Sequence, residues 1–152
     1  MFLIGHTAVG VLLAESFGAN NPAAAFGVGW VSHYLMDAIP HGDETIGEWT
    51  KGKDRIRRLM MIECVDGSLI ALAAGLFFWQ HGFSWTFSAA LIGACVPDVM
   101  WGLEAVFGRE IFGPFCRFHE RVHNMFKYRL PPAVGLTYQA IVTLFVWWTV
   151  IS

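Results

Sequence analysis

The chain has 152 residues, of which 55% are hydrophobic and 14% charged, with a formal net charge of −2. Soluble domains carry nearer a quarter charged residues, and nucleic acid is drawn by a basic field, so this composition speaks for a membrane protein and against a nucleic-acid binder. Three scattered cysteines, Cys64, Cys95 and Cys116, form no CxxC pair and no disulfide framework.

The first element is "MFLIGHTAVGVLLAESFG". It lacks a basic leader and a small-residue cleavage site, so it reads as a retained helix rather than a secretory signal. It is the first of five apolar segments, approximately Phe2–Gly18, Pro22–Ile39, Leu59–Gln80, Trp85–Phe107 and Pro132–Ile151. A bilayer-crossing helix needs roughly 20 mostly apolar residues, with about 17 as a lower limit. "GANNP" separates the first two segments, and its proline suits the first turn of a new helix. "HGFSW" separates the third and fourth, with Gly82 as a stop and Ser84 as a cap.

All ten Lys and Arg residues lie in two stretches, between the second and third segments and between the fourth and fifth. With five crossings both stretches face one side, which the positive-inside rule makes cytoplasmic. The expected architecture is therefore an all-α membrane bundle forming one domain over residues 1–152. It has about five transmembrane helices and a cytoplasmic N-terminus, and "RFHERVHNMFKYRL" makes an amphipathic helix along the inner leaflet. Tryptophans near the segment ends fit interfacial anchoring.

Charged and polar groups interrupt these spans, and inside a membrane such groups mark a function or a partner. In "SHYLMDAIPHGD", His33 and Asp37 stand four apart and share a helix face, and His41 follows the expected helix end at Pro40. "HERVH" repeats the spacing with His119 and His123. Imidazoles one turn apart suit a transition-metal ion. The five-crossing topology also brings His6, Asp66 and Asp98 to the cytoplasmic ends of their helices. The candidate metal ligands are therefore His6, His33, Asp37, His41, Asp66, Asp98, His119 and His123. For each the plainer reading is a cap, a hydrogen-bonded pair or a solvated side chain.

Three features, "GHTAVG", Pro97–Asp98 and "FHERVHN", resemble the bacterial membrane-bound metal-dependent hydrolases, including the LexA-binding inner-membrane type. Asn124 stands where that family's late motif has Ser. "HYLMDAIPH" also resembles the His-x3-Asp…His segment of the zinc-dependent phospholipase C and single-strand nuclease fold, whose helices hold a zinc cluster that cleaves phosphoesters. That resemblance implies His33, Asp37 and His41 as ligands, with His119 and His123 in place of a later His-x3-Glu pair. Several of that fold's ligands, its N-terminal Trp among them, have no secure counterpart here.

The expected function is a multi-pass inner-membrane hydrolase with one to three divalent ions, zinc first and Mn2+ or Fe2+ as alternatives. Its substrate would be a phosphoester or ester of a membrane lipid or another amphiphile. A carboxylate outside the ligand set, Glu63, Asp43 or Glu120, would act as general base. A metal-binding transporter or sensor, or a structural membrane protein, uses the same residues without catalysis. The sequence sets no oligomeric state.

Overall fold

The computed structural model describes residues 1–42, 53–108, 110–126 and 130–152. These are all-helical: α1 (Leu3–Ser16), α2 (Pro22–Asp37), α3 (Arg55–His81), α4 (Trp85–Phe107), α5 (Pro114–His123) and α6 (Pro132–Ile151). No strand occurs among the described residues.

Local chemistry sets the boundaries. Asn21 caps α2 by accepting the Ala24 N–H at 2.8 Å, and Pro22 takes the first turn. Ser84 caps α4 in the same way through Phe87 N–H. Gly108, in the left-handed region at φ 62°, ends α4. The fourth and fifth apolar segments appear with the expected limits, whereas α3 begins a turn earlier than its apolar run.

α3, α4 and α6 are long and apolar enough to cross a membrane. α1 and α2 are shorter than the sequence suggested, with 14 and 16 residues. At 1.5 Å per residue they reach roughly 21 and 24 Å, below the ~30 Å of a hydrocarbon core.

The heart of the molecule is α1, α2 and α4, packed at close range through small residues. A Cβ on Gly29 of α2 would overlap the Ala90 carbonyl of α4, and one on Gly93 would overlap the Phe26 carbonyl. Ala8, Val11, Ala25, Phe87 and Ala90 fill this core, and Trp147 of α6 closes it while donating to the Ile4 carbonyl at 3.1 Å. α6 and α3 pack on the outside of α1. Large apolar side chains such as Trp79, Leu144, Phe145 and Trp148 point away from the bundle, as expected where the surrounding solvent is lipid.

Neighbouring helices run up and down, so the N-termini of α1, α3 and α6 gather at one end with the C-termini of α2 and α4. α5 packs at that end against α2 and α4.

A buried histidine–aspartate cluster at one end of the bundle

Asp37, in the last turn of α2, is the centre of the site. Its side chain is fully buried, yet four imidazoles from three helices converge on it. Oδ2 lies 3.0 Å from His33 Nε2 and 2.8 Å from His119 Nε2. Oδ1 lies 3.0 Å from His6 Nε2 and 3.3 Å from His123 Nε2. Asp98 reaches in from α4, with Oδ1 at 3.6 Å from His33 Nε2 and 3.4 Å from His119 Nε2. His41 stacks edge-on against His123. Its Nε2 is in hydrogen-bond contact with the Met1 α-amino group, which lies 3.5 Å from Asp37 Oδ1.

Helical geometry explains each contribution. The four-residue spacing puts His33 and Asp37 on one face of α2, and His119 and His123 on one face of α5. α5 is strongly amphipathic, with Cys116, His119 and Val122 buried. Asp98 follows Pro97, which lies within α4. Its side chain keeps 23% exposure and that of His123 keeps 28%, so the cluster opens at these two residues.

The donor set fits a cation. Backbone carbonyls can only accept, so His33 Nδ1 donates to Ala94 O at 2.7 Å and His41 Nδ1 donates to Ile39 O at 2.6 Å. Such outer-shell bonds fix the tautomer of ligating histidines. In neutral His33 the Nε2 lone pair then faces the oxygens of Asp37 and Asp98, an arrangement that repels until a positive charge sits between them. His6 Nε2 is buried and makes no hydrogen bond of acceptable geometry, although Asp37 Oδ1 is near. His6 also stacks on His33 with ring centroids 3.9 Å apart, so protonating both rings would set two like charges face to face. Tetrahedral coordination at about 2.0–2.1 Å separates ligand atoms by roughly 3.3 Å, which matches the spacing found here.

Among the described residues, three groups have ligand atoms close enough to hold an ion: His6, His33 and Asp98; His33, Asp37 and His119; Asp37, His41 and His123. The first two share His33. The last two share Asp37, whose oxygens serve opposite sides.

Seven of the eight sequence candidates for ligation therefore meet. Asp66 lies apart from them. Its oxygens accept the Leu3 and Ile4 backbone N–H groups at 2.5 and 3.0 Å. It caps α1 from α3, replacing the side-chain cap that Phe2 cannot give. Among the expected bases, Glu120 is also displaced. One residue beyond His119, it is turned about 100° around the helix and lines a separate cavity of about 280 Å3 with Arg55 and Glu104. Glu104 itself accepts the N–H groups of Phe112 and Gly113 ahead of α5. Glu63 is exposed on α3, within electrostatic range of Asp98. Asp43 lies outside the described residues. Cys116 on α5 remains a thiol, since burial and the neighbouring Glu104 carboxylate push it up to about 11.

Two participants escaped the sequence reading. Gln139 of α6 is buried, donates to the His41 carbonyl at 2.6 Å and accepts the Phe2 N–H at 2.8 Å. It ties together the two segments that carry His41 and Met1. A lone amide within an apolar helix was the available signal. The Met1 α-amino group has no side-chain signature at all.

Comparison with protein-family models, with curated proteins and with solved structures returned no match.

Proposed function

We propose that this protein is a membrane-embedded hydrolase that uses divalent metal to cleave a phosphoester or ester of a lipid-like substrate at the cytoplasmic face. The observation that carries the reading is the convergence of five histidines and two aspartates at one end of an apolar bundle. The metal would be held by His6, His33, Asp37, His41, Asp98, His119 and His123. Zinc is the first choice for such an imidazole-rich set. When bound, the ions supply Lewis acidity and a water that ionises near neutral pH.

The protein's own part is to hold the nitrogens in fixed tautomers, exclude bulk water from all but the Asp98–His123 edge, and offer a carboxylate at that edge. Glu63 is the remaining described candidate for a general base. All five apolar helices lie in the bilayer in this reading, with the basic connections and the N-terminus inside. The shortness of α1 is accommodated by its central position among α2, α3, α4 and α6. Phosphoester cleavage is preferred over acyl cleavage because of the likeness of "HYLMDAIPH" to the phospholipase C segment.

The test is elemental analysis of detergent-purified protein, followed by hydrolysis of a phospholipid panel with and without chelator. One to three bound divalent ions per chain and chelator-sensitive release of a head group or fatty acid are expected. Protein free of metal after purification and reconstitution with Zn2+, Mn2+ or Fe2+ would refute the reading. Bound metal accompanied by ion flux in proteoliposomes, without hydrolysis, would replace it with transport.

A further inference from the structure

The histidines of the cluster are not all supported in the same way. His33 stands inside the tightest part of the bundle. Its Nδ1 donates to Ala94 O of α4 at 2.7 Å, and α2 and α4 are in backbone contact at Gly29 and Gly93. His41 lies beyond the end of α2, after Pro40, on an irregular segment. Its Nδ1 donates to Ile39 O at 2.6 Å, which fixes the ring only relative to that segment. What places the segment itself is α6.

α6 buries Gly135, Gln139, Val146, Trp147 and Val150. The last three fill the apolar core beside α1. The first two stand one turn apart at the cluster end, and both meet the same atom, the carbonyl oxygen of His41. Gln139 Nε2 donates to it at 2.6 Å. A Cβ on Gly135 would collide with it and with Gly42 Cα. Gly42 turns at φ 81°, a conformation that favours glycine, and passes α6 in backbone contact. Gln139 Oε1 accepts the Phe2 N–H at 2.8 Å, so the amide cannot turn over without losing both bonds. A buried amide is costly unless paired, and here both of its ends are engaged.

We propose that Gly135 and Gln139 are positioning residues that set His41, so that metal held by Asp37, His41 and His123 depends on the seating of α6 and metal held through His33 does not, a claim that rests on the metal-binding part of the reading above and on no reaction. Gln139 acts on the main chain of a ligand rather than on its ring, but the ring moves with the main chain. Outer-shell partners of metal ligands typically contribute about tenfold to a hundredfold in metal affinity. The competing role is plain fold maintenance, in which Gln139 satisfies two buried backbone groups and metal retention follows stability alone.

Zn2+ affinity is measured by chelator competition on the detergent-purified full chain, with bound zinc counted by elemental mass spectrometry. His41→Ala, which deletes the ligand, is the reference. Gln139→Leu removes both hydrogen bonds at similar volume, and Gly135→Ala pushes the segment off α6. Val146→Ala, on the same buried stripe but in the apolar core, controls for lost packing. Gln139→Leu and Gly135→Ala are each expected to weaken the most loosely held Zn2+ by about tenfold or more, as His41→Ala does, while the remaining zinc stays bound. The double variant His41→Ala/Gln139→Leu should lose no more than His41→Ala, because the two act on one ligand. Val146→Ala should lower the melting temperature and leave zinc affinity at the wild-type value. Zinc affinity unchanged in Gln139→Leu, or reduced no further than in a Val146→Ala protein of equal melting temperature, would overturn the proposal. So would losses that add in the double variant, or all zinc weakening together in Gln139→Leu. A wild-type chain that binds no Zn2+ refutes the metal reading and the proposal with it, whereas a zinc-binding wild type with an indifferent Gln139→Leu refutes the proposal alone. The expected pattern in a protein that hydrolyses no lipid would uphold the positioning role while refuting the hydrolase.

Discussion

At the scale of single residues, Asp37 and Asp66 are the informative pair. Both are buried aspartates near one end of the bundle, and both look like ligands in the sequence. The structure gives them different partners: imidazole nitrogens around Asp37, backbone N–H groups on Asp66. Their substitutions should separate accordingly. Asp37→Asn keeps the shape but replaces one of the oxygens that the imidazoles surround with an amide nitrogen and removes the negative charge. Metal content measured by mass spectrometry is expected to fall below a tenth of wild type. Asp66→Ala strands two N–H groups at the start of α1, a loss of about 1–3 kcal/mol per unsatisfied buried group. The melting temperature in detergent should drop while metal per folded chain stays at the wild-type value. If Asp66→Ala instead empties the site at unchanged stability, Asp66 belongs with the ligands after all.

At the scale of elements, the close approach of α2 to α4 positions the site. His33 and Asp37 reach His119 and Asp98 only because Gly29 and Gly93 let the two backbones nearly touch. α2 supplies its own control in Gly27, whose missing Cβ would meet nothing within 4 Å. Gly29→Ala forces the helices apart and is expected to cost about 1–3 kcal/mol by overpacking and to weaken metal retention together with stability. Gly27→Ala removes a helix-interior glycine without a clash and is expected to raise stability by up to about 1 kcal/mol. Paired thermal denaturation of the two variants checks the claim, and equal effects would show that the α2–α4 contact is looser than described. The limits of α4 and α6 were legible because caps, glycine stops and apolar runs are local signals. The site was legible in outline because four-residue spacing survives folding. What the sequence hid was orientation across helices. Asp66 turns to the end of α1, and Glu120 turns to the other side of α5. Gln139 turns inward to hold His41. Each depends on a neighbour far away in the chain.

At the scale of the whole molecule, the cluster joins parts of the chain that pack weakly elsewhere. Among the described helices, α5 packs mainly against α2 and α4, and its two histidines are what engage Asp37. His41, on the segment after α2, is held by Gln139 and by the snug meeting of Gly42 with Gly135 of α6. An ion shared by His33, Asp37 and His119 would therefore fasten α5 to α2, and one shared by Asp37, His41 and His123 would fasten both to the following segment. Binding that favours the folded state stabilises it by mass action, by about 2.7 kcal/mol when free ion exceeds Kd a hundredfold. For a chain of this size that corresponds to roughly 5–11 °C. Adding excess chelator to wild-type protein in detergent is expected to lower the melting temperature by that order, and restoring Zn2+ should recover it. Asp37→Asn should be insensitive to both additions. Limited proteolysis supplies the spatial check: metal removal should expose the Arg117 and Arg121 sites of α5 to trypsin before any site in α3. If chelator leaves both the melting temperature and the α5 cleavage pattern unchanged in protein shown to have lost its metal, the ions do not tie the helices together, and the histidines hold α5 in place through hydrogen bonds to Asp37 alone.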